Sequence, residues 1–254
     1  MLQEVLRSGT IRFFLHAFCM FSGKKYCTVL PFHMRFFEQS IALFLKDVRL
    51  EWRSRFGIST VLAFIASTLL IVLFSLRADQ LPLPVQSGLM WIIVLFASLT
   101  TLSRVFVSES ERGTMDTLRL NATATSVFLG KLLYNFLFTL LITLVTMFLF
   151  IIMVNMTIVN GVLLAVIIFL GSSGLAGATT MLGALVSQAT RKGTVFPVLA
   201  LPLLIPLMLI LVRVTQSVFT LDGTPPANDL AALVGFSGVT ISASIVLFDN
   251  LWED

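Results

Sequence analysis

The sequence predicts an all-α membrane protein, a bundle of six transmembrane helices preceded by an N-terminal interfacial amphipathic helix. Three observations predict it. Of the 254 residues, 57% are hydrophobic and 12% charged, where soluble domains carry about 25% charged residues, and the mean hydropathy is +0.98. Six apolar runs of roughly bilayer-crossing length follow one another along the chain. The basic residues gather on alternate connections between those runs.

The runs are Ile58–Leu76, Gly88–Ser103, Leu132–Val154, Val162–Val186, Val195–Val212 and Leu230–Phe248, and none contains Asp, Glu, Lys, Arg or His. In hydrocarbon a backbone satisfies its own polar groups, and runs of this length do so as helices. With the N-terminus placed in the cytoplasm, fifteen Lys and Arg residues fall on the inner side. Only Arg77 and Arg213 fall on the outer side. This positive-inside pattern accounts for the basic character of the chain and puts both termini inside.

Residues 1–34 are aromatic and basic without a sustained period, and FFLHAFCMF is too short to span. They are expected to be an unstructured extension or to lie upstream of the true start, with Met20 and Met34 as candidate starts. Residues 35–254 then form the transmembrane domain. Cys19 and Cys27 lack ligand spacing for zinc, and no metal site is expected. Arg35–Arg55 is different. Ile41, Leu45, Val48 and Trp52 recur at helical steps along one stripe, with Lys46, Asp47, Arg49 and Arg53 elsewhere around the helix. Such a helix lies along the membrane surface before the first span or docks on a partner.

The second and third spans are separated by the polar stretch Ser108–Lys131. A short helix is predicted at Thr114–Leu120 after a bend at Gly113, and Ser126 is placed as N-cap of the third helix. Two readings stand for this stretch: a solvated connector, or a lever receiving force from a cytoplasmic protein. A second inner loop, Ser187–Thr194, carries Arg191, Lys192 and Gly193 and leads into a span holding Pro197, Pro202 and Pro206. Each interior proline removes a helix hydrogen bond and is destabilising by about 3 kcal/mol. The three are therefore expected in a bent or locally unwound helix within the bundle. In the preceding span, Gly174, Gly177 and Gly183 belong to small-residue pairs at four-residue spacing that let backbones approach.

Catalytic chemistry is missing. The chain has no G-x-x-x-x-G-K-[ST] phosphate loop, no H-E-x-x-H and no nucleophile elbow, and its spans hold no buried ionisable residue of the kind proton-driven carriers use. The chain is not expected to be an enzyme, so energy for any transport would enter through another subunit.

Three stretches carry a resemblance. FLKDVRLEWRSR (Phe44–Arg55), RVFVSESERGTMDTLRL (Arg104–Leu120) and GALVSQATRKGTVFPVLALPLLIPLMLI (Gly183–Ile210) resemble the CcmB family, heme exporter protein B. The resemblance runs from about Met34 to Asp254, with Asn121-Ala122 replacing a proline often found after the loop helix. It implies an ABC-2-type permease architecture in the bacterial inner membrane. It further implies a permease subunit for cytochrome c maturation, handling heme or releasing the heme-loaded chaperone. The implied partners are a CcmA-like ATPase carrying the ATP, CcmC-like and CcmD-like membrane proteins, the chaperone CcmE and a second copy of the chain. Under it, Glu109, Glu111, Arg112, Gly113, Thr114, Asp116, Leu118 and Arg119 are the ATPase-coupling loop. The prolines and small residues leave two readings of the fourth and fifth spans: a part of the bundle that changes shape when the ATPase closes, or static kinked packing. No cofactor is expected on this chain: its spans lack His and Cys for heme ligation. Another ABC-2-type exporter for lipid, drug or polysaccharide, and a non-transporting scaffold that recruits the ATPase, remain as alternatives.

Overall fold

The computed structural model describes residues 32–76, 81–102, 123–187, 192–220 and 227–253. They form seven helices and no strand: α1 (Phe32–Ser54), α2 (Phe56–Leu76), α3 (Leu83–Leu102), α4 (Ala124–Val154), α5 (Gly161–Ser187), α6 (Lys192–Phe219) and α7 (Ala227–Glu253). The chain divides into Met1–Glu38 and Gln39–Asp254. The first unit contributes the beginning of α1, and its residues before Phe32 lie outside the described ones. Phe32–Met34, expected in the unstructured extension, already belong to α1. The second unit holds the rest of α1 and the six helices after it.

Those six helices, α2 to α7, are long and apolar enough to cross a membrane, and they match the six predicted runs in order. The largest departure is in the third. α4 has 31 residues, about 46 Å of helix, against roughly 30 Å of hydrocarbon. It starts at Ala124 rather than near Leu132, with Thr123 in the N-cap position. Ser126 is therefore inside the first turn and not the cap. Thr123 Oγ1 donates to Ser126 Oγ at 2.9 Å, and Ser126 Oγ donates back to the Thr123 carbonyl at 2.8 Å.

The helix ends have identifiable causes. α4 stops at Asn155, which takes the left-handed conformation at φ 57°, tolerated by asparagine better than by most residues. The N–H of Met156 then bonds back to the Ile151 carbonyl at 3.0 Å, the pattern of a helix stop that satisfies its last carbonyls. α5 begins with Asn160, whose Oδ1 accepts from the Leu163 N–H at 3.0 Å. The connection between them is tied to the end of α6, because the N–H groups of Val159 and Asn160 both donate to the Val218 carbonyl.

α5 is the central element, packed on α4, α6 and α7, while α3 bridges α4 and α6. Between lipid-facing helices there is no water to expel, so association rests on close packing and polar contacts. Both occur. On α4, Asn135, Thr139, Thr143 and Thr146 share one face and are fully buried. Asn135 Nδ2 donates to Thr180 Oγ1 at 2.8 Å, and Ser172 Oγ reaches Thr143 Oγ1 at 3.4 Å, both from α5. Outward apolar side chains such as Ile71, Phe74 and Val239 stay exposed in the isolated chain, as hydrocarbon-facing side chains do.

Candidate functional site

The structure gathers charged residues where α1, α2 and α4 meet. Lys131 Nζ on α4 stands 3.0 Å from Asp47 Oδ2 on α1, and Lys46 Nζ stands 3.5 Å from Asp47 Oδ1. Lys131 is 1% exposed and Asp47 8%. Among the described residues Asp47 Oδ2 has no well-aligned hydrogen-bond donor despite that distance, so the Lys131 contact is a charge pair rather than a directed hydrogen bond. The charge pattern of the sequence counts Lys131 among the inner-side loop charges. It lies instead in the second turn of α4, about 10 Å from the helix start, near the edge of the hydrocarbon if the long helix is centred in it.

The same contact region is fitted closely. Ser40 Oγ donates to the Ser126 carbonyl at 3.1 Å. A Cβ on Gly130 would stand 2.9 Å from the Ser40 carbonyl oxygen and 3.0 Å from Leu43 Cβ, so α1 crosses α4 at a position that only glycine fits. Leu43 continues into a small apolar cluster with Val127, Phe128, Ala184 and Phe248, which brings in α5 and α7. The face of α1 turned toward the bundle is therefore Ser40, Leu43 and Asp47. The predicted stripe Ile41, Leu45 and Trp52 is exposed, and Val48 is half-buried.

At its other end α1 passes into α2 through Arg55, which adopts φ 53° and donates its N–H to the Glu51 carbonyl at 2.7 Å. Glu51 Oε1 accepts from the Ile58 N–H at 3.0 Å. That supplies an acceptor to a helix N-terminus whose N–H groups have no intrahelical partner, and places a negative charge at its positive end. Gly57 allows this approach, since a Cβ there would lie 2.6 Å from Glu51 Oε1. Asp47 and Glu51, the two acidic residues of the stretch Phe44–Arg55, thus have separate tasks: one meets α4 and the other starts α2.

Glu109, Glu111, Arg112, Gly113, Thr114, Asp116, Leu118 and Arg119 lie outside the described residues, as does Arg191. Lys192 and Gly193 open α6 rather than sitting in a loop, and α6 is helical without a break through Pro197, Pro202 and Pro206. No unwound turn interrupts it. Pro202 and Pro206 lie on its exposed side, opposite the buried line Ala200, Leu204, Leu207, Leu211, Val214 and Val218. The sequence predicts a bent or locally unwound helix; α6 is not unwound at these two prolines, which are exposed in this single chain.

Gly174, Gly177 and Gly183 are buried in α5. A Cβ on Gly174 would lie 3.1 Å from both Leu207 Cδ1 on α6 and Ser237 Oγ on α7, and one on Gly177 would lie 3.0 Å from Ile241 Cγ1. The small-residue surface therefore serves α7 as much as the proline-bearing helix. Sequence reasoning misses Gly171, which is fitted as tightly against Trp91 and Leu211. It also misses Asp47 and Lys131 as a pair. Their spacing of more than eighty positions leaves no local signal, although an isolated lysine at the edge of an apolar run is visible.

The sequence is similar to known proteins. The CcmB protein family matches residues 38–248, from within α1 to near the end of α7. A relative from Rhodobacter capsulatus, heme exporter protein B, is 28% identical over 206 residues, covering 79% of this chain and 92% of the relative. The chain belongs to the CcmB protein family.

Proposed function

We propose that this chain is the membrane-spanning permease subunit of an ABC transporter complex for cytochrome c maturation. It couples ATP hydrolysis on a partner to heme delivery or to release of a heme-loaded chaperone. One observation carries the reading: the family match runs through all six spans. The relative's name, heme exporter protein B, points to heme as the handled substrate.

Hydrolysis belongs, in this reading, to a CcmA-like subunit on the cytoplasmic side; the lack of a phosphate-binding loop in this sequence is consistent with it. Fifteen Lys and Arg residues against two favour a bacterial inner-membrane orientation with both termini inside. In that orientation the segment from Glu109 to Arg119 faces the ATPase and acts as its coupling loop, with Arg191, Lys192 and Gly193 on the same side. CcmC-like and CcmD-like membrane proteins, the chaperone CcmE and a second copy of the chain complete the complex.

The test is deletion of this chain with complementation. Covalently attached heme in c-type cytochromes is expected to disappear and to return with the wild-type chain, and a cytoplasmic ATPase is expected to co-purify with it. Undiminished c-type cytochromes in the deletion strain would overturn the reading.

A further inference from the structure

Resting on the permease reading above, we infer that Asp47 and Lys131 are positioning residues. Their buried ion pair seats α1 on the first turns of α4, so that displacement at the start of α4 reaches the first span, α2, through α1.

The first support is the choice of chemistry. A buried ion pair is a poor device for stability, because an apolar pair of similar volume is often as good or better. Its best-attested use is to fix one alignment between two elements. An ionisable residue inside a membrane-spanning helix, with its partner named, is a functional-site hypothesis by default. Lys131 meets that description, with its ammonium 3.0 Å from Asp47 and 1% of its surface exposed.

The second support is how α1 is held. Its contacts with the bundle include Ser40 on the Ser126 carbonyl, Leu43 against Gly130 and the Phe128 cluster, and Asp47 on Lys131. Its opposite stripe, Ile41, Leu45 and Trp52, is exposed, so among the described residues no other element steadies that side. These contacts span eight residues of α1, from Ser40 to Asp47, about 10 Å of helix.

The third support is the rigid exit. Arg55 at φ 53°, the Glu51 carboxylate on the Ile58 N–H, and Gly57 under that carboxylate join α1 to α2 through a single tight turn. That turn is closed by the Glu51 carboxylate on the Ile58 N–H and by the Arg55 N–H on the Glu51 carbonyl, and in this inference it passes rotation of α1 on to α2. α2 itself packs chiefly on α3 and α4 through Val61, Ile65, Leu69 and Val72, so a displacement of α2 would reach that core.

The experiment uses the assembled complex, with cytochrome c matured per ATP hydrolysed as the readout at equal amounts of complex. Asp47→Asn and Lys131→Met are each expected to lower that ratio at least fivefold while ATP hydrolysis continues. The swap Asp47→Lys with Lys131→Asp is expected to restore it to within twofold. Gly130→Ala keeps both charges but pushes α1 from its seat, and it is expected to lower the ratio in the same way. This variant is decisive if the charge variants fail to assemble. The double apolar variant Asp47→Leu with Lys131→Leu is expected to assemble and remain uncoupled. An apolar pair with full coupling, or wild-type ratios in Gly130→Ala, would overturn the inference. A wild-type complex with no ATP-dependent maturation removes the transporter reading and this inference with it. A coupled wild type whose variants are equally coupled removes only the inference.

Discussion

Gly171 of α5 lies against the indole of Trp91 of α3: a Cβ added to the glycine would stand 2.6 Å from Trp91 Cη2 and 3.0 Å from Leu211 Cδ2 on α6. The same indole donates its Nε1–H to Thr215 Oγ1 of α6 at 2.8 Å. Three helices therefore converge on one fully buried side chain. Gly171→Ala is expected to destabilise the bundle by about 1–3 kcal/mol, the usual range for overpacking. Trp91→Phe is expected to be milder, at about 1 kcal/mol, because it loses one hydrogen bond but keeps an aromatic ring. Thermal unfolding of the purified chain in detergent checks both, and Gly171→Ala melting with the wild type would contradict the close fit.

The turn between α1 and α2 offers a second measurement. Gly57→Ala puts a methyl where the Glu51 carboxylate now sits, so the carboxylate must leave the Ile58 N–H. The expected loss is about 0.5–2 kcal/mol, that of a removed N-terminal cap. Glu51→Gln retains an acceptor and is expected to lose less. If Gly57→Ala and Glu51→Ala combined are no worse than either alone, the two act through one contact. Additive losses would show that they do not.

The prolines of α6 are proposed to act in coupling. Pro202 and Pro206 each remove an N–H from an unbroken helix, leaving the carbonyls four residues earlier without their helical donors. Pro202→Ala with Pro206→Ala is expected to insert normally and to lower cytochrome c maturation per ATP hydrolysed. Normal maturation in that double variant would show that the prolines have no part in the moving element.

The coupling loop is tested by co-purification. Changing Glu111 and Asp116 to Ala is expected to release the cytoplasmic ATPase from the membrane chain without altering membrane insertion. Retained ATPase would remove these residues from the contact while leaving the family assignment intact.

Much of the architecture is legible in the sequence because hydrocarbon imposes a simple rule: a spanning segment must be long, apolar and internally hydrogen-bonded. All six spans follow from it, and so does the amphipathic character of α1. The start of α4 is less legible. Lys131 interrupts the apolar run at the chain level, yet the helix continues through it, as lysine's helix propensity allows, and its charge is met by Asp47. A rule that counts charges cannot see that a partner from another helix has neutralised one. The packing role of Gly174 is legible from its four-residue spacing, whereas that of Gly171 depends on where Trp91 comes to rest.

By itself the sequence determined the number of crossings, the helical class and the family, because these depend on local composition and on motifs within single segments. Tertiary structure alone decided that Asp47 faces Lys131, that Glu51 starts α2 and that Pro202 and Pro206 face outward. Those relationships join residues far apart in the chain or choose one side of a helix that is apolar all round. Hydrophobicity gives no preferred side to such a helix; only the shape and polar groups of its neighbours do.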